Sequence, residues 1–190
     1  NLQELGLGVP RALTYHETDA AVDALAEFFI ALGLVPGDII AAQLPNTAIT
    51  PLTFLAAWRA GLTVAALPML WREHEIRQAC ETVAPKALLG VARFGGEDRA
   101  GMLCAIAATQ LSVRFVLGFG ERLPDGVIPL DEVIDGGQPA TRRDAGVDPD
   151  MPGVIDPAAQ AAIETSYPAA RLHRDLAYAS DLHTAGGVIA

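Results

Sequence analysis

Short apolar runs alternate with longer amphipathic stretches along the first 120 residues of the chain. Each run has the length of a buried strand, and the stretches between the runs repeat apolar residues at helical spacing. This order predicts an α/β fold: a parallel sheet with helices on both faces, joined by right-handed crossovers. The predicted helices cover residues 17–33, 47–61, 71–83 and 97–110, and the predicted strands cover residues 39–44, 63–68, 86–91 and 113–120.

The first predicted helix has recognisable signals at both ends. Leu25 and Phe29 lie four residues apart and belong to its apolar face. Thr18 or Glu17 is expected to open the helix, and Gly33 is expected to end it in a left-handed conformation.

Proline and glycine mark the limits of the next elements. Asn46 or Thr47 is the expected N-cap of the second helix, and Gly61 ends that helix. Pro51 is compatible with the second helix only in its first turn, because proline lacks the backbone N–H that later turns require. Pro85 ends the third helix.

The composition changes after residue 120. A short strand is predicted at 127–129, followed by a helical turn, so the βαβ N-terminal subdomain is expected to cover residues 1–135. Residues 136–160 are rich in Gly, Pro and Asp, which predicts a linker or surface loop. Residues 161–190 are expected to be a tail that starts the next subdomain.

Charge and cysteine content exclude several classes of function. The net charge of -10 and the pI of about 4.7 argue against nucleic acid as a partner, because an acidic surface repels phosphate backbones. The sequence contains no uninterrupted apolar run long enough to cross a bilayer and no signal peptide at its start. Cys80 and Cys104 lie in apolar stretches and are expected to be reduced core residues of a cytoplasmic protein.

Four consecutive segments carry a resemblance to a known family. They read LTYHETDAAVDALAEFFIALGL, GLVPGDIIAAQLPN, FLAAWRAGLTVAALP and EHEIRQACETVAPKALLG, and together they span residues 13–90. Their order, spacing and punctuation resemble the start of the adenylate-forming superfamily, which comprises AMP-forming acyl-CoA synthetases, luciferases and the adenylation domains of peptide synthetases. In that family LTY is the first strand and a long helix follows it.

The resemblance implies a large enzyme that activates a carboxylic acid with Mg-ATP to an acyl-adenylate and passes the acyl group to coenzyme A. The family's first half contributes scaffold, and its catalytic lysine lies in a C-terminal domain. No catalytic residue is therefore expected in this chain, and Mg-ATP, coenzyme A and the acid are expected as ligands of a full-length member only.

The family's phosphate loop has the pattern TSG[ST]TGxPKG, whose glycines let backbone N–H groups approach the phosphates. After the Asp- and Pro-rich segment, Ala161–Ser166 (AAIETS) resembles the approach strand and the first two loop positions. Tyr167, Pro168, Ala169 and Ala170 then stand where the loop's Gly, Ser and Thr residues belong. Thr165 and Ser166 are the only cofactor-binding candidates, as a remnant of that loop.

The other chemically versatile residues lack the patterns of catalytic or metal sites. His74 has no histidine partner at i+4, as a zinc peptidase helix requires, and no serine lies in a GxSxG elbow. Scaffold, packing or surface roles are expected for Lys86, His16, Trp58 and Trp71, and no metal site is expected from His173 and His183 with Asp175 and Asp181.

Two other functions remain as hypotheses. The chain could be a stand-alone, catalytically inactive module that forms homodimers or docks to a partner, which the missing glycines and loop lysine favour. A small Rossmann-like nucleotide-binding protein is disfavoured, because no glycine-rich loop follows the first strand.

Overall fold

The computed structural model describes residues 13–135, 152–155, 157 and 167–168. The described helices are α1 (Tyr15–Ala31), α2 (Ile49–Arg59), α3 (Glu73–Val83), α4 (Arg99–Ala107) and α5 (Asp131–Asp135). The described strands are β1 (Ile39–Ala42), β2 (Thr63–Ala66), β3 (Ala87–Val91), β4 (Arg93–Phe94), β5 (Glu97–Asp98), β6 (Phe115–Phe119), β7 (Val127–Pro129), β8 (Pro152–Ile155) and β9 (Tyr167–Pro168).

Seven of these strands form one sheet in the order β7-β6-β3-β1-β2-β8-β9. The first six run parallel to one another, and β9 pairs antiparallel with β8 at the edge. The remaining two strands, β4 and β5, form a small antiparallel hairpin after β3. The predicted α/β fold with a parallel sheet is confirmed.

Helices cover both faces of the sheet because the central strands are apolar on both sides. Ile40 and Leu89 face a core that contains Leu25 and Phe29 of α1 and residues of α2. The neighbouring positions on these strands face a second core, formed with α3 and α4. Phe29 is fully buried, and burial of a side chain of this size stabilises the fold by about 2 to 3 kcal/mol.

The start of α1 differs from the prediction. Tyr15 is already helical, so residues 13–15 do not form the expected strand, and neither Thr18 nor Glu17 opens the helix. Thr14 is the N-cap, and its hydroxyl accepts a hydrogen bond from the N–H of Glu17 at 3.2 Å. The Glu17 carboxylate accepts a bond from the N–H of Thr14 at 2.8 Å, which completes a capping box.

The second helix also begins later than predicted. Neither Asn46 nor Thr47 is its N-cap: Ala48 has that position, without a side-chain hydrogen bond. The hydroxyl of Thr50 instead donates to the carbonyl of Pro45 at 2.6 Å. Pro51 is the third residue of α2, so its expected place in the first turn is confirmed. 

Two further sequence expectations concern the end of α1 and the predicted linker. Gly33 follows α1 with a φ of 83°, the left-handed conformation that was predicted. Pro152–Ile155 lie inside the segment predicted to be a linker, yet they pair with β2 and extend the sheet. The domain boundaries at residues 135 and 160 stay predictions.

In the described part of the chain, no helix combines the length and the apolarity that crossing a bilayer requires.

Candidate functional site at the carboxyl edge of the sheet

The carboxyl ends of the six parallel strands meet at one edge of the sheet. From β1 the chain passes to β2 on one side, and it then returns to place β3 on the other side of β1. Such a reversal leaves a crevice outside the carboxyl ends of the two diverging strands, which is where open α/β sheets bind ligands. The crevice between β1 and β3 is therefore the candidate functional site.

Gln43 follows β1 directly and lies at this edge. Its side chain is 1% exposed, and its N–H donates to the carbonyl of Leu89 on β3 at 2.8 Å. The amide Nε2 donates to the carbonyls of Pro68 at 2.9 Å and Trp71 at 3.1 Å. A buried amide thus joins the end of β1 to the connection between β2 and α3.

Arg99, the first residue of α4, reaches the same place from the β3 side. It is 5% exposed, and its Nη1 donates to the carbonyl of Trp71 at 3.0 Å. Its Nη2 forms an ion pair with Glu97 at 2.9 Å, and Glu97 also pairs with Arg72. Glu97 therefore neutralises a buried guanidinium while it contacts an exposed one.

The electrostatics of the edge follow from these pairs. The hydrogen bond from Arg72, together with the charges of Arg72 and Arg99, lowers the pKa of Glu97. Backbone hydrogen bonds from its own N–H and from Arg72 lower the pKa of Glu75, since both N–H groups belong to the first turn of α3. Both carboxylates are thereby favoured in their charged form.

Most of the residues named from the sequence have surface, backbone or packing roles in the described part of the chain. His16 is exposed on α1 and His74 is exposed at the start of α3. The N–H of Lys86 donates to the carbonyl of Ile39 at 2.8 Å, which fits the predicted scaffold role. Trp58 is buried, as expected for a packing residue, and Trp71 is half-buried.

Burial decides the chemistry of the two cysteines. Both are free thiols; Cys80 is buried between α3 and the sheet, and Cys104 is partly buried on α4. Burial raises the pKa of Cys80 to about 11 and also raises the pKa of Cys104. Both shifts favour the protonated thiol over the nucleophilic thiolate. Within the described ranges, His, Cys, Asp and Glu form no group of three able to hold a metal ion.

Thr165 and Ser166 lie outside the described residues, as do His173, His183, Asp175 and Asp181. The residues that follow Ser166 are described: Tyr167 and Pro168 form β9, with Tyr167 opposite Val154 and Pro168 opposite Pro152.

Sequence reasoning missed Gln43 and Arg99, although each carries a signal. Gln43 is the one polar residue in the run IIAAQL, and Arg99 directly follows the N-cap Asp98 of a largely apolar helix. A polar residue that directly follows a buried strand is a candidate for the carboxyl edge.

A sequence model of one family matches this chain. The model describes AMP-binding enzymes, and it covers residues 5–155, which is most of the chain and all of the sheet through β8. The chain belongs to the AMP-binding enzyme family. The resemblance seen in residues 13–90 is therefore confirmed.

Two other proteins have sequences similar to that of this chain. Long-chain fatty acid transport protein 1 of Rattus norvegicus is 30% identical over 124 residues, which are 64% of this chain and 18% of that protein. Protein Y of Streptomyces griseus is 28% identical over 148 residues, 77% of this chain and 48% of that protein.

Two solved structures share the fold. Acetoacetyl-CoA synthetase from Streptomyces lividans superimposes with a TM-score of 0.69 at 23% identity, over 77% of this chain and 24% of that one. An anthranilate CoA ligase in complex with anthranoyl-AMP gives 0.67 at 14% identity, over 76% and 27%. The chain thus spans about a fifth of the transport protein and a quarter of each solved enzyme.

Proposed function

We propose that this chain is the scaffold region of an AMP-forming acid–thiol ligase, which converts a carboxylic acid to an acyl-adenylate and transfers the acyl group to coenzyme A. Family membership and the shared fold support the proposal. The chain covers only a small share of the solved enzymes, so the reaction itself belongs to the proposal.

We further propose that the chain alone does not adenylate. The observation that carries this is the place where the family match stops: it ends at residue 155, which is the last residue of β8. The next residues read DPAAQ, with no glycine, serine, threonine or lysine. A triphosphate needs a cation and backbone N–H groups that can approach it closely, and this segment has neither a basic side chain nor a glycine to allow that approach.

Residues 167–170, which stand where the family has its phosphate loop, are no better suited to bind a triphosphate. Tyr167 and Pro168 pair with the edge of β8 as a strand, and proline has no N–H to donate. The described residues of β8 and β9 therefore do not fit Mg-ATP, and no chemical step that involves Mg-ATP is assigned to them. Thr165 and Ser166 stay a prediction as phosphate ligands.

ATP–pyrophosphate exchange tests the proposal for this chain. With Mg-ATP and a panel of short, long and aromatic carboxylic acids, we expect no exchange above the background of buffer. Exchange with any acid would contradict it. Reading the open reading frame beyond Ala190 tests the other part: the proposal requires a continuation that carries a glycine-rich loop and a catalytic lysine.

A second function is favoured by β9. Sheet edges attract further strands, and proteins protect them with short strands and proline. The pairing of Tyr167 and Pro168 with β8 covers an edge that would otherwise be open to another chain. A self-contained, catalytically inactive module needs such a covered edge, and homodimers or a partner would then have to bind another surface. A stop codon soon after Ala190 would favour this alternative, and light scattering would establish whether the module is a dimer.

A further inference from the structure

The connection between β2 and α3, which we call the β2–α3 loop (residues 67–72), lies beside the crevice. Its tip is apolar and open to solvent, since Leu70 is 86% exposed. The N–H of Trp71 donates to the carbonyl of Pro68 at 3.0 Å and closes a turn. A loop with such an exposed apolar tip keeps one conformation only if something else holds its backbone.

Two buried side chains hold it. Gln43 donates to both carbonyls at the ends of the turn, Pro68 and Trp71, and Arg99 donates to the second of them. Gln43 comes from the end of β1, and Arg99 comes from the segment that follows β3. The backbone of one loop is thus attached to the two strands that flank the crevice.

An ionic contact adds a third attachment. Glu97 pairs with Arg99 and with Arg72, the last residue of the β2–α3 loop. The N–H of Arg72 also donates to the Glu75 carboxylate at 3.0 Å, which fixes the point where the loop enters α3. The exposed end of the loop is therefore tied to the same residue that neutralises Arg99.

Packing alone does not account for these residue types. Apolar side chains of the same size often stabilise an interior more than buried charged or polar ones do. In the described residues, moreover, Gln43 Oε1 and Arg99 Nε are buried without a hydrogen-bond partner. The bonds that these side chains do make all reach the loop, apart from the Arg99–Glu97 pair. Because their other bonds converge on one loop, a different arrangement of that loop would leave further buried polar groups unpaired.

We propose that Gln43 and Arg99 are positioning residues, which fix the β2–α3 loop as a rigid wall of the crevice at the carboxyl edge. The inference rests on the proposed function, and it adds that this edge faces the site that the rest of the enzyme completes. The two residues act through the carbonyls of Pro68 and Trp71 and need not touch a ligand.

The test uses Gln43→Met and Arg99→Met, which keep most of the side-chain volume and remove the hydrogen bonds to the loop. Hydrogen exchange is measured on peptides that cover residues 68–75. Because each variant removes one or two hydrogen bonds to the loop, exchange there is expected to become about tenfold faster. Acrylamide quenching gives a second readout. Trp58 is buried, so any increase in quenching reports on Trp71.

Ile106→Val is the matched control, since Ile106 is a fully buried residue of α4 that packs in the core. It is expected to lower the unfolding midpoint without changing exchange or quenching at the loop. Arg72→Ala tests the ionic attachment. Because Arg72 is exposed, the variant is expected to fold normally and to show a smaller increase in loop exchange than the methionine variants. Arg99→Lys keeps the charge beside Glu97 and is expected to restore part of the protection.

The proposal would be overturned if both methionine variants showed the same loop exchange and the same Trp71 quenching as Ile106→Val. These readouts require no nucleotide, so they stand apart from the exchange assay of the proposed function. A loop that loosens while pyrophosphate exchange occurs would refute the inactivity of the chain and keep the positioning role.

Discussion

The indole Nε1 of Trp58 donates a hydrogen bond of 2.8 Å to the carbonyl of Gly153, 95 positions further along the sequence. This buried bond connects α2 to β8, the last strand within the family match. It attaches Gly153, which lies within the Asp- and Pro-rich segment, to a helix that packs against the sheet.

Trp58→Phe should loosen β8 while it keeps an aromatic ring in the core. The lost bond leaves a buried carbonyl without its donor, so the free energy of unfolding should fall by about 1 to 3 kcal/mol. Urea unfolding measures this loss, and hydrogen exchange at residues 152–155 locates it. Phe54→Leu is the control, because it removes the edge-to-face contact with Trp58 and leaves the indole bond in place. Equal exchange at β8 in both variants would contradict the account.

The capping box at the start of α1 allows a direct comparison of sequence expectation and structure. Thr14→Ala should lower the free energy of unfolding by about 1 kcal/mol, because it removes the N-cap side chain. Thr18→Ala, at one of the two residues that the sequence offered as the start, should change it by less than about 0.5 kcal/mol, because Thr18 lies inside the helix. Thermal unfolding of the two variants measures both, and a larger loss in Thr18→Ala would refute the assigned start.

Glu97→Gln should change how stability depends on acid. The pKa of Glu97 is lowered in the folded chain by Arg72 and Arg99. A carboxyl with a lowered folded pKa stabilises the fold above its unfolded pKa of about 4.3, and this contribution is lost as the pH falls through the folded value. The wild type should therefore lose more stability between about pH 5 and pH 3 than Glu97→Gln does.

Urea midpoints measured across that range test this dependence. Glu121→Gln, at an exposed glutamate on the loop after β6, is the control and should keep the wild-type slope. A slope in Glu97→Gln that equals that of the wild type would contradict the role given to the ion pairs.

The cysteines should react with disulfide reagents slowly and in a fixed order. With a pKa of about 11, only about a thousandth of Cys80 is thiolate at pH 8. Cys104 is less buried than Cys80, so it should be modified first. Mass spectrometry after timed labelling gives the order, and labelling in denaturant provides the unprotected rates. Fast modification of Cys80 in the native chain would contradict its burial between α3 and the sheet.

The central strands were predictable because they are uninterrupted apolar runs, which indicate burial on both faces. Runs such as ALLGV are apolar on both faces, and only a strand covered by helices on both sides needs that. The order of the helices and strands, and hence the fold class, followed from the same pattern.

The limits of α1 and the position of β8 were harder to predict, for different reasons. Thr14, Glu17 and Thr18 are all suited to a helix start, and only the reciprocal bonds of Thr14 and Glu17 show that the helix begins after Thr14. Pro152–Ile155 become a strand through pairing with β2, and a composition rich in proline, glycine and aspartate conceals that.

The candidate site was missed because Gln43 and Arg99 bind backbone carbonyls of another part of the chain, the β2–α3 loop. Periodicity identifies apolar positions, and it gives no sign that Gln43 and Arg99 meet at the carbonyl of Trp71. The family resemblance pointed to the segment after the Asp- and Pro-rich stretch as the place to look for a phosphate loop, and that stays a prediction.

Calorimetric titration of this chain with Mg-ATP tests the central claim most directly. Residues 156–160 and 167–170 lack the glycines and the lysine of a phosphate loop, so we predict only the heat of dilution. Saturable, magnesium-dependent binding that is lost in a Thr165→Ala, Ser166→Ala double variant would contradict the claim and would assign these two residues to the phosphates.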